Sequence, residues 1–292
     1  MHSEAFGIFG EVLFDRFADG IQVLGGAPFN VAWHLQAFGE LPLFISRVGG
    51  DAAGDEIRMA MRRWGMRDAA LQIDPEHPTG TVSVTIADGE PRYRILDNQA
   101  YDFIDSAELD SLECETLYHG SLAIRHAVSR QALANLKGRH RGKIFLDVNL
   151  REPWWDINTL SAWIAEADWV KLNDLELRQL QPGEQPIEIK MRNLFNCYQL
   201  EGLIVTCGGQ GAMAIGADGE LLRVQPESGV EVVDTVGAGD AFSAVLLIGI
   251  RHGWPLRQSM LRAQNFASAL VGQRGATIRN PDFYHGVVRS WG

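Results

Sequence analysis

The chain is poor in cysteine. Cys114, Cys197 and Cys207 are its only three. They are far apart and odd in number, so neither a disulfide framework nor a zinc site is expected. They read as reduced core thiols of a cytoplasmic protein. Basic residues are scarce as well: 26 Lys and Arg stand against 37 Asp and Glu, a net charge of −11. Nucleic acids and anionic membranes call for a basic surface, so neither is expected as a partner. Long hydrophobic runs are missing too. The longest, Ala241–Ile250, is about half of the roughly 20 residues a membrane span requires. The opening "MHSEAFGIFGEVLF" has neither a basic start nor a small-residue cleavage site, so no signal peptide is expected.

What is present suits an enzyme-sized globular protein. The 292 residues allow one large α/β domain. Strand-like and helix-like segments alternate, which argues for a mainly parallel sheet. Ala5–Leu13 reads as the first strand, Pro28–Phe38 as a helix, Leu43–Val48 as a strand and Asp55–Trp64 as a helix. Later strands are expected at Lys143–Val148, Trp169–Leu172 and Leu203–Thr206, and helices near 240–252 and 257–271. The middle breaks the rhythm. In "TGTVSVTIADGEPRYRIL", Val82, Val84 and Ile86 alternate with polar residues, the period of a half-buried strand. Asp88–Gly89 is a hairpin turn signal, so a hairpin is expected over about 80–96. With "DRFADGIQVLGG" after the first strand, it would form a small β-lid.

The phosphate-loop pattern G-x-x-x-x-G-K-[ST] is absent: Gly142–Lys143 is followed by Ile144. "GGQGAMAIG" holds a G-x-G-x-x-A spacing, but its continuation reads as a hairpin and not as the helix of a dinucleotide site. The remaining glycine turn is "VVDTVGAGDAF", residues 232–242. Gly237 and Gly239 let backbone N–H groups converge, and the helix that follows adds the positive end of its dipole. Together these make an anion site, suited to a phosphoryl group in transfer. Asp240 can be read as a base for an attacking hydroxyl or as a helix-start residue. On this stretch alone both readings stand.

Further motifs narrow the choice. "GGAPFNVAWHLQAFG" (25–39), "RVGGDAAG" (47–54), "DVNLR" (147–151), "KLNDLE" (171–176), "VTCGGQGA" (205–212) and "DTVGAGDAF" (234–242) occur in this order. In them the chain resembles the ribokinase-like (PfkB) family of sugar kinases, most of all the fructokinases. The resemblance implies a three-layer α/β/α sandwich with a mainly parallel central sheet and a small β-sheet lid. It also implies one domain over 1–292, with the lid at about 14–25 and 78–103. It further implies ATP-dependent phosphorylation of a sugar hydroxyl with Mg2+, a homodimer formed through the lid, and in some relatives K+. Residue by residue, it makes Asp240 the base and gives Gly237, Ala238 and Gly239 the anion-binding N–H groups. Asp15, Gly25, Gly26 and Asn30 would hold the sugar. Asn173 and Glu176 would order Mg2+ through water. Thr206, Gly208, Gly211 and Asn265 would line the nucleotide side, and Asp234 would face a monovalent cation.

The acceptor is less tightly specified. Fructose leads. The rivals are 2-keto-3-deoxygluconate, whose carboxylate needs a cation such as Arg94 or Arg151, and ribose. A sugar-binding regulator without turnover is the non-enzyme alternative. Val148 stands where the family more often has proline, and Phe29 stands where smaller residues are frequent.

Overall fold

A computed structural model describes residues 4–87, 90–110, 112–226, 229 and 231–291. The chain forms thirteen strands and nine α-helices among these residues. The strands are β1 (Glu4–Phe9), β2 (Leu13–Phe17), β3 (Gln22–Gly25), β4 (Leu43–Gly49), β5 (Leu71–Asp74), β6 (Gly80–Ala87), β7 (Glu90–Ile95), β8 (Cys114–His119), β9 (Lys143–Asp147), β10 (Trp169–Asn173), β11 (Gly202–Thr206), β12 (Ala212–Gly216) and β13 (Leu221–Val224). The helices are α1 (Ala27–Ala37), α2 (Ala52–Arg63), α3 (Ala127–Arg139), α4 (Ile157–Ala165), α5 (Asp174–Leu180), α6 (Ile187–Tyr198), α7 (Ala238–Arg251), α8 (Leu256–Val271) and α9 (Pro281–Ser290).

Nine strands make one sheet in the order β13-β12-β11-β10-β9-β8-β1-β4-β5. From β10 to β5 every neighbouring pair is parallel, as is β10 with β11. β11, β12 and β13 pair antiparallel, so the "GGQGAMAIG" stretch does continue as a hairpin. Successive strand residues feed opposite cores. Phe6, Ile8, Phe44, Phe145 and Ile204 pack with α1, α2, α7, α8 and α9. Leu43, Ile45, Leu146, Leu203 and Val205 pack with α3, α4, α5 and α6. A sheet covered on both faces explains the near-continuous apolar strands. The result is a three-layer α/β/α sandwich.

A second sheet runs β3-β2-β6-β7. It contains the expected hairpin, with β6 and β7 antiparallel. The Asp88–Gly89 turn itself lies outside the described residues. One expectation needs correction. The first strand does not run from Ala5 to Leu13: β1 ends at Phe9, and β2 starts at Leu13 in the other sheet. Apolar residues continue through the crossing, so periodicity carried no sign of it. A second correction concerns the cysteines. All three are free, but Cys197 is exposed and Cys114 and Cys207 are only partly buried. Cys114 and Cys207 pack against the edge of a core and Cys197 does not. Among the described residues no helix is long and apolar enough to cross a membrane.

The chain returns from the small sheet through a buried ion pair. Arg125 Nε and Nη2 donate to the two oxygens of Asp102, both at 2.7 Å. The Arg125 guanidinium also lies 4.4 Å from the ring centroid of Trp154. Both partners of the pair have fully buried side chains. Removing one would strand the other's charge, at a cost of about 3–5 kcal/mol. Asp102→Ala is therefore expected to lower unfolding free energy by about that amount, as read from urea denaturation. A loss below about 1 kcal/mol would show that the pair is not an anchor.

Candidate active site

A cleft of about 1220 Å³ opens at the carboxyl ends of the parallel strands, with the small sheet along one side. That edge is where open α/β sheets place their ligands. β1 delivers Glu11 to it, β9 delivers Asp147, β10 delivers Lys171 and Asn173, and β11 delivers Thr206. The small sheet contributes Asp15 and Arg94.

The "GAGD" turn starts α7 at this cleft. Gly237 caps the helix with φ of 81°, and a Cβ there would fall 2.4 Å from the Ala276 Cβ. Only glycine fits both demands. The Ala238 N–H is directed to Thr235 O at 3.3 Å. The amides of Gly239 and Asp240 lie in the first turn, where no earlier helical carbonyl reaches them. Asp240 also lies in this turn, half-buried. Burial pushes its carboxyl up to about 6, and Asp147 adds to this. A hydrogen bond from Asn30 and the charges of Lys171 and Arg151 oppose the rise. The Asn30 bond runs from Nδ2 to Asp240 Oδ2 at 2.8 Å.

Asn30 sits in the first turns of α1, behind Gly26. Gly26 has φ of 112°, and a Cβ on it would meet Glu11 O at 2.6 Å. Asn30 Oδ1 is buried and has no partner. It and Asp15 Oδ2 each lie 3.9 Å from where a Cβ on Gly25 would project. Burial raises the Asp15 carboxyl, and Arg151 opposes the rise. Asp15, Gly25, Gly26, Asn30, Gly237, Gly239 and Asp240 therefore share one end of the cleft wall.

Sequence reasoning passed over a buried network beneath Asp240. Lys171 Nζ donates to both Asp147 oxygens, at 2.9 and 2.8 Å. Ser243 Oγ (2.7 Å) and Tyr118 Oη (3.1 Å) donate to Asp147 Oδ2. Four donated bonds satisfy the buried Asp147 side chain. The signal was a charged residue inside an apolar strand, in "IFLDV" and "WVKLN".

Asn173 and Glu176 form a reciprocal capping box at α5. Asn173 Oδ1 accepts from the Glu176 N–H, and Glu176 Oε2 from the Asn173 N–H, both at 2.8 Å. Glu176 Oε1 accepts from Leu150 N–H at 2.7 Å. Both residues still face the cleft. Each of their oxygens keeps a second lone pair, which fits a magnesium ion held through its own water shell. Asp234 is engaged likewise: its two oxygens accept from Val236 N–H and Gly275 N–H, each at 3.0 Å. Arg94 and Arg151 line the cleft with exposed side chains. Thr206 is part of the lining, whereas Gly208, Gly211 and Asn265 lie outside it. Asn265 Oδ1 accepts from Ser290 Oγ at 3.2 Å, joining α8 to α9, and Gly211 turns the chain from β11 into β12.

The sequence profile described as pfkB family carbohydrate kinase matches residues 11–282. The chain belongs to this family. The kinase is 30% identical to a fructokinase of Klebsiella pneumoniae over 296 residues, covering 94% of this chain and 95% of that one. A double-mutant fructokinase of Vibrio cholerae O395, solved in a form bound to fructose, ADP and potassium ion, superposes with a TM-score of 0.82. It is 25% identical, with 98% of this chain and 99% of that one covered. A fructokinase of Xylella fastidiosa with bound ATP gives a TM-score of 0.87 at 19% identity, with 99% of both chains covered, and supports the fold.

The glycine turn of the kinase yields a contrast between two neighbours. Gly237→Ala meets both a positive φ and the Ala276 contact, and is expected to cost about 1–3 kcal/mol. Gly239→Ala meets nothing nearer than Lys171 Nζ at 3.5 Å and is expected to leave stability unchanged. Urea midpoints of the two variants decide this. Equal midpoints would contradict it.

Proposed function

We propose that this kinase transfers the γ-phosphoryl group of ATP to a primary hydroxyl of a neutral sugar, with fructose the leading acceptor. The observation that carries this reading is the carboxyl of Asp240, set in the first turn of α7 beside the glycine-turn amides and hydrogen-bonded by Asn30. One sugar hydroxyl is positioned by Asp15 and Asn30. Its proton passes to Asp240 as its oxygen bonds to the γ-phosphorus and ADP leaves. The Gly237 and Gly239 amides receive the charge that develops on the phosphoryl oxygens. Magnesium, held through water by Asn173 and Glu176, would neutralise phosphate charge when bound. Asp234 and its loop are the place for a potassium ion, an ion found with the Vibrio relative. Thr206 serves the nucleotide side.

Within one domain of residues 1–292, segments 14–25 and 78–103 act as the lid. Closing it over the sugar excludes water and so limits ATP hydrolysis. A sugar acid is the weaker reading. Arg151 already acts on the carboxyls of Glu11, Asp15 and Asp240, and Arg94 is exposed.

The first test is ADP release with Mg-ATP across fructose, ribose, 2-keto-3-deoxygluconate, a nucleoside and fructose 6-phosphate. Preference for fructose supports the reading; preference for the sugar acid replaces it. Asp240→Asn is expected to keep sugar binding and lose at least about 10²-fold in turnover. Near-wild-type turnover would sink the mechanism. The base must be ionised, so wild-type turnover should fall as pH drops through about 6. A flat profile between pH 5 and 7 would be the contrary result.

The lid also suits self-association. β3 lies at one edge of the small sheet; Val23 (36% exposed) stands on it and Ile21 (58%) just before it. An edge strand with unpaired backbone groups is a template for a second copy. A homodimer through this edge is expected, and a monomeric mass by light scattering at micromolar concentration would rule it out.

A further inference from the structure

Glu11 is a charged residue that the proposed mechanism leaves unused. It follows β1 directly and is 3% exposed. It nevertheless belongs to the lining of the cleft, with Asp15, Gly26, Asn30, Arg151 and Asp240. Its Oε2 is buried and has no hydrogen-bond partner. A buried polar atom left unpaired costs about 1–3 kcal/mol, and more when charged. Such an atom calls for an explanation in a ligand or a function.

Position supplies one. The Glu11 carbonyl packs against the Gly26 turn that leads into α1, so Glu11 and Asn30 are fixed relative to each other. Asn30 Oδ1 is also buried and unpartnered. Two orphan acceptors thus lie in one cleft beside the Asp240 carboxyl. A molecule with several adjacent O–H donors satisfies both at once, and a polyol is that molecule.

We propose that Glu11 is a sugar ligand whose Oε2 accepts a hydrogen bond from a substrate hydroxyl and so sets which sugar is taken. This rests on the sugar-kinase reading above and adds a contact to it. The charged groups around Glu11 are Asp15 on β2, Arg151 beyond β9 and Asp240 on α7, with Tyr101 and Tyr118 as titratable neighbours. Burial pushes the Glu11 carboxyl up to about 7, Asp240 adds to this, and Arg151 and two backbone amides oppose it. A hydrogen bond to a carboxylate is stronger than one to its neutral acid. Sugar affinity should therefore rise as pH climbs through about 7.

The experiment is calorimetric titration of the full-length kinase with D-fructose and its single-deoxy analogues, without nucleotide, at pH 6 and pH 8. Glu11→Gln keeps the shape and removes the charge, and its melting temperature reports folding. At pH 8 the variant should bind fructose about tenfold or more weakly. It should lose the pH step near 7, while Asp240→Asn keeps that step. One deoxy analogue should bind weakly to the wild type and lose little more in the variant, which identifies the contacted hydroxyl. KM for ATP should not move. Unchanged fructose affinity in Glu11→Gln would overturn the inference alone. So would equal losses for every analogue in both proteins, or a wild-type affinity that is flat across pH 7. A wild type that binds no fructose would overturn the fructose reading first and the Glu11 contact with it.

Discussion

A single hydrogen bond, from Asn30 Nδ2 to Asp240 Oδ2 at 2.8 Å, joins two residues 210 positions apart in sequence. Much of the architecture bears on it. α1 and α7 must bring their amino-terminal turns together. α1 can do so only because Gly26 lets it start hard against the end of β1. α7 can do so only because Gly237 turns left-handed against Ala276. Beneath them, the Lys171–Asp147 pair fills the floor with a fixed, fully hydrogen-bonded charge. The half-buried Asp240 carboxyl has one side-chain donor to hold its orientation. Removing that donor would take away a hydrogen bond that favours the charged form, which drives the carboxyl toward its neutral form.

The charge distribution resolves an apparent conflict. A protein with net charge −11 belongs to a family that handles a polyanionic nucleotide. Its cleft carries the acids Glu11, Asp15, Asp19, Asp147, Glu152, Glu176, Asp234 and Asp240 against Lys171, Arg94, Arg151 and Arg274. Side chains alone do not make it a strong anion receptor. Uncharged backbone groups at the start of α7 are the better candidates, since amides and helix dipoles attract anions whatever the net charge. On the proposed reading, a cleft of this sign suits a neutral polyol better than a sugar acid, because every acid near the sugar would repel a carboxylate.

Much of the fold was legible in sequence, and for identifiable reasons. Strands buried on both faces read as apolar runs, and the change to period two at Val82, Val84 and Ile86 marked the second sheet. The glycine turn pointed to a helix start because only glycine suits φ near 81° there. Other features left no local trace. The crossing from β1 to β2 is hidden in a continuous apolar stretch. The pairing of Asp147 with Lys171 spans two strands, and no spacing rule links them. The chemistry of Asn265 is visible in sequence, but the helix face that turns it toward Ser290 is not. Asn173 and Glu176 show another limit, since N-x-x-E is equally the pattern of a capping box and of a metal-ordering pair.

The strand order has a consequence for synthesis. β1 lies between β4 and β8, so one flank of the central strand stays unpaired until residues 114–119 have been made. The Asn30 side of the cleft waits longer still, for α7. A nascent chain on the ribosome therefore carries an open, apolar sheet edge through much of its translation, exposed to unwanted strand pairing. It also carries no half-built cleft able to use nucleotide, because Asn30 and Asp240, which meet at one end of that cleft, are among the earliest and the latest parts of the chain to appear.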